Sequence, residues 1–323
     1  MYEEVTLVSP AKINLHLDLR ERREDGFHEL ISIFQMIDFE DHIRIRSLKK
    51  QSFCEIEGNF PIAPEENIMY RAYKLFSERT GCTKGISIIT KKEIPWGAGL
   101  GGGSSNAAAV LLACDTLFKT ALGRGELIKL AAILGSDVPF FLNGPAALVT
   151  GRGEKIEPLK PRKDFWLVVV VPEFAISTAD AYRWFDQWRN EKWRTEKRKL
   201  RGIGKSSEDS IGFEEKKERK EKEAKKEKER IRETYLFGDF EDWEFFNSFA
   251  PVLYRDFPQL EELVHEMKTQ GAVYSAVSGS GSAVFGIFLN KKVAKNTADS
   301  LKTYYTRVRV VAPKRIRFEV KAL

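Results

Sequence analysis

Apolar and polar positions alternate along Val5–Val8 and again along Ile13–Leu19. A period of two marks a strand with one face buried, so two strands are expected on either side of Pro10. Phe39–Ser47 (FEDHIRIRS) alternates in the same way. Ile68, Ala72, Leu75 and Phe76 fall at helical spacing, which predicts a helix over Asn67–Arg79. Gly85–Thr90 (GISIIT) is a short β-like run that leads into a glycine-rich stretch. Beyond it, Asn106–Phe118 (NAAAVLLACDTLF) is rich in alanine and leucine with no breaker, which predicts a mostly buried helix. Glu126–Leu134 predicts another, ended by Gly135.

From about Pro161 the pattern starts again. Phe165–Val171 is an apolar run too short to cross a bilayer, and it reads as a buried strand. Ala179–Trp188 and Gln259–Thr269 have helical spacing, Val273–Ala276 and Ala283–Phe288 read as strands, and Arg315–Val320 closes with alternation. No internal repeat is visible. A chain of 323 residues exceeds one ordinary core, so two domains are expected, 1–160 and 161–323.

A charged insertion at about 189–235 breaks the second half. Its distal part, EEKKERKEKEAKKEKERIRE, has almost no apolar residue and predicts a solvated surface segment that covers no core. Glu218–Lys222 and Glu221–Lys225 have the i,i+4 order that supports a single helix, and Gly202–Gly212 reads as a loop. Asn190–Glu233 carries 17 Lys+Arg against 12 Asp+Glu, which accounts for nearly all of the net charge of +6. The basicity is local. Nucleic-acid binding by the whole protein is therefore not expected, and the insertion is left as an element able to dock an anionic partner. MYEEVTLVSPAKIN has no basic segment followed by an apolar one, so no export signal and no membrane association is expected. The three cysteines, Cys54, Cys82 and Cys114, lack ligand-like spacing and read as core thiols of a cytoplasmic protein.

The run PWGAGLGGGSSNAAA places five glycines before two serines and a strong helix former. Glycines let the backbone approach a polyphosphate and turn several N–H groups toward one anion. A helix starting near Ser104 or Ser105 adds its positive end and unpaired N–H donors, and a hydroxyl there can reach a magnesium ion bridging the phosphates. Two imitations sit nearby. Gly97, Gly99 and Gly102 satisfy GxGxxG, but no acidic residue stands where a dinucleotide fold needs one. Gly204-Lys205-Ser206 resembles the end of a P-loop, but Lys199 occupies the position of its first glycine.

SPAKINLHLDLRERREDGFHEL, IPWGAGLGGGSSNAAA and AVSGSGSAVFGIF together resemble the three motifs of the GHMP kinases. Pro10–Leu15 (PAKINL), Arg23, Asp25–His28 (DGFH) and Gly135–Phe141 (GSDVPFF) make the likeness closest to the branch whose acceptor is a cytidine-diphosphate-linked methylerythritol. It covers nearly the whole chain outside the insertion. The resemblance implies an α/β (α+β) fold of two domains, with the active site in the cleft between them, ATP and Mg²⁺ as cofactors, and a small molecule as substrate. It further implies that Asp137 takes the proton of the acceptor hydroxyl while Lys12 holds both, an arrangement suited to phosphoryl transfer. Asn14, two residues from Lys12 and so on the same strand face, would bind the substrate. His28 would meet the cytosine edge, with Phe27 and Tyr182 as stacking rings. The ATP site would comprise Pro95, Gly97, Gly99, Leu100, Gly101, Gly102, Gly103, Ser104 and Ser105, with Ser105 also on the metal. Asn67 and Lys91 or Lys92 would line the adenine pocket. Gly279, Ser280 and Gly281 would support the loop.

Ordinary readings stand beside these: a turn or cap for Asp137, a core ring for Tyr182, a β-turn for the second Ser/Gly cluster. Two functional alternatives also remain at this stage. One is another GHMP kinase acting on mevalonate, homoserine or a sugar; the other is a non-catalytic anion- or RNA-binding protein on the same fold.

Overall fold

The computed structural model describes residues 3–58, 60–201, 213–316, 318 and 320–322, with backbone alone at 193–201, 213–218, 220 and 221. The first two expected strands are one: β1 runs unbroken over Glu4–Arg22. The alternation changes face at Pro10, where the pairing with the next strand is irregular. The antiparallel register of β1 with β2 (His28–Gln51) slips between Pro10 and Ala11 and again between Asn14 and His16. At the second slip one extra residue, Leu15, stands on β1 and turns the following side chains to the opposite face; at the first, the unpaired residues are Asp38 and Phe39 of β2. Val5 and Leu7 join one core, Ala11, Ile13 and Leu15 the other, and Leu17 and Leu19 the first again. Between the two slips, Lys12 and Asn14 are left facing the helical layer.

β1 and β2 are the centre of a seven-stranded sheet. β4 (Lys84–Lys91) and β5 (Ala146–Gly151) pair antiparallel with β2. β3 (Cys54–Glu57) runs parallel to β4, and β6 (Lys155–Pro158) flanks β5. One face is covered by α1 (Ile68–Thr80), α2 (Gly102–Phe118), α3 (Gly123–Leu134) and α4 (Val138–Asn143). α2 begins four residues before the expected Asn106, because its first turn is built from the end of the glycine run. The other face packs against a second, four-stranded antiparallel sheet of β7 (Trp166–Val170), β8 (Tyr274–Val277), β9 (Val284–Phe288) and β10 (Val308–Val311). Ile13 and Ile33 meet Leu167, Val169 and Phe285 in that shared core. α8 (Pro258–Thr269) and α9 (Lys291–Leu301) close the far side of the second sheet.

The helix expected over Ala179–Trp188 continues as α5 over Thr178–Arg201, and α6 spans Phe213–Phe237. The expectation that the charged segment covers no core fails at its end. Ile231 and Tyr235 are fully buried, and the Tyr235 hydroxyl donates to Gln35 Oε1 (2.8 Å) while accepting from Arg162 N (2.9 Å). Among the described side chains nearer its start, Arg219 and Glu223 form the i,i+4 pair typical of a solvated helix (3.0 Å). The expected loop 202–212 and the side chains of Glu218 and Glu221 lie outside the described residues. The closing strand is β11, Val320–Ala322, and it pairs antiparallel with β1; of the expected alternating stretch Arg315–Val320, residues 317 and 319 lie outside the described residues. Among the described residues, no helix is long and apolar enough to cross a membrane.

Candidate active site

Most of the expected residues border a cleft made of two adjoining cavities, about 350 and 820 Å³. The whole run Pro95–Ser104 borders the smaller one, together with Lys12, Asn14, Asp137 and Ser280. Phe27 and His28 border the larger, while Asp137 and Tyr182 border both. A larger hollow, about 1070 Å³, lies behind α5 near Trp188 and Tyr254, and none of the expected site residues faces it.

The glycine run is fixed by what it touches. Gly99 (φ +72°) and Gly101 (φ +70°) adopt the left-handed conformation, where side chains are strained. A Cβ on Gly99 would run into the Ser278 carbonyl oxygen, and one on Gly101 would stand 2.9 Å from Lys12 Cγ. Ser278 Oγ donates to Gly99 O (3.1 Å), and Lys12 N donates to Leu100 O (2.8 Å), so the loop is clamped between β1 and the turn after β8. Asn247 of the segment before α7 (Ala250–Asp256) holds that turn through Val277 O (2.8 Å) and Gly279 O (2.7 Å). Gly101 caps α2, leaving the first-turn N–H groups of Gly102, Gly103 and Ser104 without helical acceptors at the cleft wall. A polyphosphate would find backbone donors and a helix N-terminus there.

Lys12 is buried. Its Nζ donates to Asn14 Oδ1 (2.6 Å), lies 3.4 Å from Asp137 Oδ2 and sits over the Phe34 ring. Asn14 in turn donates to Ser32 Oγ (3.1 Å), which fixes its oxygen toward Lys12. Asp137 stands at the start of α4, one third exposed, and so faces whatever enters the cleft. Burial, with the Asp137 charge beside it, pushes the Tyr182 phenol up to about 12 and keeps it neutral.

Three expected residues are elsewhere. Ser105, expected at the metal, is fully buried, and its Oγ accepts from Ser9 Oγ (2.7 Å) on the far side of the helix start. Ser104 takes the cleft-facing place. Asn67 caps α1, accepting from Met69 N (3.0 Å), and borders neither cavity. Gly281 lies behind the turn, donating to Ser278 O (3.0 Å). Of the two lysines, Lys91 is exposed beside Glu93, whereas Lys92 borders the cleft and is locked to the buried Asp41 (2.6 Å). Tyr182 lies nearly parallel to the His28 ring (5.6 Å between centroids, 24°), and the Arg152 guanidinium covers Phe27 (4.9 Å).

Arg152, Asp186 and Trp96 also line the cleft and had no place in the sequence reading. Asp186 was within reach of it, being four residues from Tyr182 and hence on the same face of α5. Arg152 sits in the turn between β5 and β6, where nothing local marks it.

Residues 67–145 match the model of the GHMP kinases N terminal domain, and residues 222–307 that of the GHMP kinases C terminal domain. The second match begins inside the charged segment, where α6 turns into the core. A 4-diphosphocytidyl-2-C-methyl-D-erythritol kinase of Thermodesulfovibrio yellowstonii is 35% identical over 92% of this chain and 94% of its own. One of Alkaliphilus metalliredigens is 34% identical over 96% of each. The crystal structure of a 4-(cytidine 5'-diphospho)-2C-methyl-D-erythritol kinase superposes with a TM-score of 0.72 at 31% identity, covering 95% of this chain and 98% of that one. A homoserine kinase of Cytophaga hutchinsonii, with a TM-score of 0.69 at 16% identity over 99% and 98%, shares the fold. By these measures the chain belongs to the GHMP kinases, in the branch of the 4-diphosphocytidyl-2-C-methyl-D-erythritol kinases.

Proposed function

We propose that this ATP-dependent small-molecule kinase phosphorylates the 2-hydroxyl of 4-diphosphocytidyl-2-C-methyl-D-erythritol, a step of the methylerythritol phosphate route to isoprenoid precursors. The observation that carries the reading is the Lys12–Asp137 pair, 3.4 Å apart, where the phosphate cradle meets a second cavity lined by His28, Phe27 and Arg152. In this reading Asp137 takes or orients the acceptor proton. Lys12, held by Asn14, offers its charge to the oxygen that attacks. The unpaired N–H groups of Gly102, Gly103 and Ser104 hold the phosphates of ATP. Arg22 and Arg152 border the larger cavity and would meet the acceptor's diphosphate.

A magnesium ion would neutralise charge on the phosphates during transfer. Among the described residues no cluster of three or more His, Cys, Asp or Glu could hold a metal. The fit is therefore to a metal carried mainly by phosphate oxygens, with the Ser104 hydroxyl and Asp137 as the wall oxygens nearby.

The test is ADP release with ATP and Mg²⁺ across the cytidine-linked acceptor, mevalonate, homoserine and a sugar panel. Turnover is expected with the first alone. Asp137→Asn should lower kcat by roughly 10²- to 10⁴-fold with ATP binding intact. Near-normal turnover in that variant would sink the mechanism, and turnover of another acceptor would sink the substrate.

A further inference from the structure

The hollow behind α5 is, at about 1070 Å³, larger than either cavity of the cleft, and the roles assigned so far leave it unused. Two of its walls are helices with the same stride. α5 presents Phe185, Trp188, Arg189 and Lys192, and α8 presents Glu261, Val264, His265 and Lys268, each set at the i, i+3, i+4, i+7 spacing of one helical face. Rings and cations are mixed on these walls. Trp188, Tyr254 and the half-exposed Phe246 offer aromatic surface, and Lys192 Nζ stands 5.3 Å from the centre of the Trp188 ring. Among the described residues, Glu261 is the one carboxylate at the walls, and Arg189, Lys192 and Lys268 are in no ion pair. A flat ring that carries negative charge matches both features, by stacking and by charge.

Arg189 ties this hollow to the cleft. Its Nη1 donates to the Arg20 carbonyl oxygen (2.6 Å), and His28 Nδ1, on the wall of the larger cleft cavity, lies 3.0 Å from that same oxygen. Tyr182 and Asp186, also on α5, border that cavity. We propose that the hollow is a second, effector site for an aromatic anion, and that the anion weakens acceptor binding by drawing the Arg189 guanidinium off Arg20. With that bond lost, α5 is held less firmly against β1 beside the acceptor cavity, and the Arg20 oxygen keeps His28 alone. The coupling half of the inference rests on the reading of the larger cavity as the acceptor site; the binding half does not. Coupling between two sites is reciprocal, so the acceptor must weaken the anion by the same factor.

The probe is 1-naphthyl phosphate, with 1-naphthol and inorganic phosphate as the ring and the charge alone. Calorimetry on the full-length enzyme without acceptor should show saturable binding of the naphthyl phosphate that excess ATP does not displace, and far weaker binding of either fragment. Lys192→Gln combined with Lys268→Gln, both exposed and outside the cleft, should weaken it by roughly 5- to 10-fold with turnover unchanged. Saturating probe should raise acceptor KM about fivefold or more, to a plateau and at constant kcat. Arg189→Gln, with ATP binding intact as the check on folding, should start from the raised KM and show no response. A KM that climbs without a plateau means occupation of the acceptor cavity itself and overturns the inference, as does binding indifferent to the paired lysine substitutions. Binding that leaves acceptor KM unmoved overturns the coupling. Absence of turnover with the cytidine-linked acceptor counts against the substrate assignment instead, and the calorimetry still decides whether the site exists.

Discussion

Asp41 has no solvent exposure, and its oxygens are fully engaged. They accept from Lys92 Nζ (2.6 Å), Glu93 N (2.8 Å), Ile94 N (2.9 Å) and Asn106 Nδ2 (2.9 Å). Asn106 reaches on to Ser9, and Ser9 to Ser105, so one buried network ties the start of α2 to β1 and β2. Burial lowers the Lys92 pKa, with Asp41 opposing the shift. Asp41→Ala strands that ammonium, and urea unfolding should show a loss of about 3–5 kcal/mol; a loss below 1 kcal/mol would mean water reaches the site. This residue was half legible: within FEDHIRIRS it occupies the apolar phase of the alternation, a carboxylate where Ile43 and Ile45 follow. Its partner could not be read, since nothing local links it to Lys92. His16 gives the pH prediction. Burial lowers its imidazole from 6.5 to about 4, with Glu227 opposing and Arg230 and Arg20 adding to the shift. The folded state refuses a proton that the unfolded chain accepts below pH 6.5. The stability carried by neutral His16 is therefore complete above pH 6.5 and lost as pH falls toward 4, on the order of 3 kcal/mol at full effect. His16→Gln keeps an acceptor for Phe246 N and cannot titrate, so its urea midpoint should fall less than the wild type's over that window.

α6 shows how a sequence of charges conceals a packed element. Its first turns present Arg219, Lys222 and Glu223 to solvent, and the composition of that stretch predicted the same for all of it. Ile231 and Tyr235, four residues apart, form a single apolar stripe in the last turns. That spacing was available in the sequence and was outweighed by the lysines and glutamates before it. Tyr235→Phe removes the hydroxyl that both Gln35 Oε1 and Arg162 N rely on. The expected cost is about 1–3 kcal/mol in urea unfolding, with kcat unchanged, since the pair lies on the core side of β2. A loss of activity at unchanged stability would show instead that α6 communicates with the cleft. β1 misled in the opposite direction. Pro10 looked like a strand boundary because it interrupts alternation, yet the strand continues through a shift of register against β2, and Lys12 faces the site just beyond that shift. The boundary at Pro10 was lost where the backbone shapes the site, while α1, α8, β7, β8 and β9 lie within one residue of the limits their periodicity gave; β10 and α9 were not read from the sequence at all.

At the scale of the molecule, the cleft gathers Lys12, the glycine run, Asp137 and the Ser/Gly turn from four separate stretches of chain. No periodicity says that these stretches meet; their joint resemblance to a family did, and the clamp of Gly99 by Ser278 shows how the two sheets enforce it. The charged segment is the one large feature outside this logic, and the structure tells where to cut it. Removing Asn190–Glu233 whole would take Ile231 out of the core along with Arg230, which pairs with Glu244 (2.9 Å), and Arg232, beside Glu157 (3.5 Å). Excising 193–221 instead, with a flexible Gly-Ser linker in its place, spares those contacts and the part of α5 that carries Tyr182, Asp186 and Arg189. Closing a different length of loop changes the entropy by only about 0.6 kcal/mol per doubling, so the variant should fold. The excised stretch holds 10 Lys+Arg and 7 Asp+Glu, half of the +6 net charge. The shortened protein should elute from a cation exchanger at lower salt, and salt-sensitive retention on heparin should weaken with it. Its kcat/KM for the acceptor should stay within about twofold of the parent, the range of a surface change. A tenfold rise in acceptor KM would place part of the segment over the base-binding cavity and make it a component of the site.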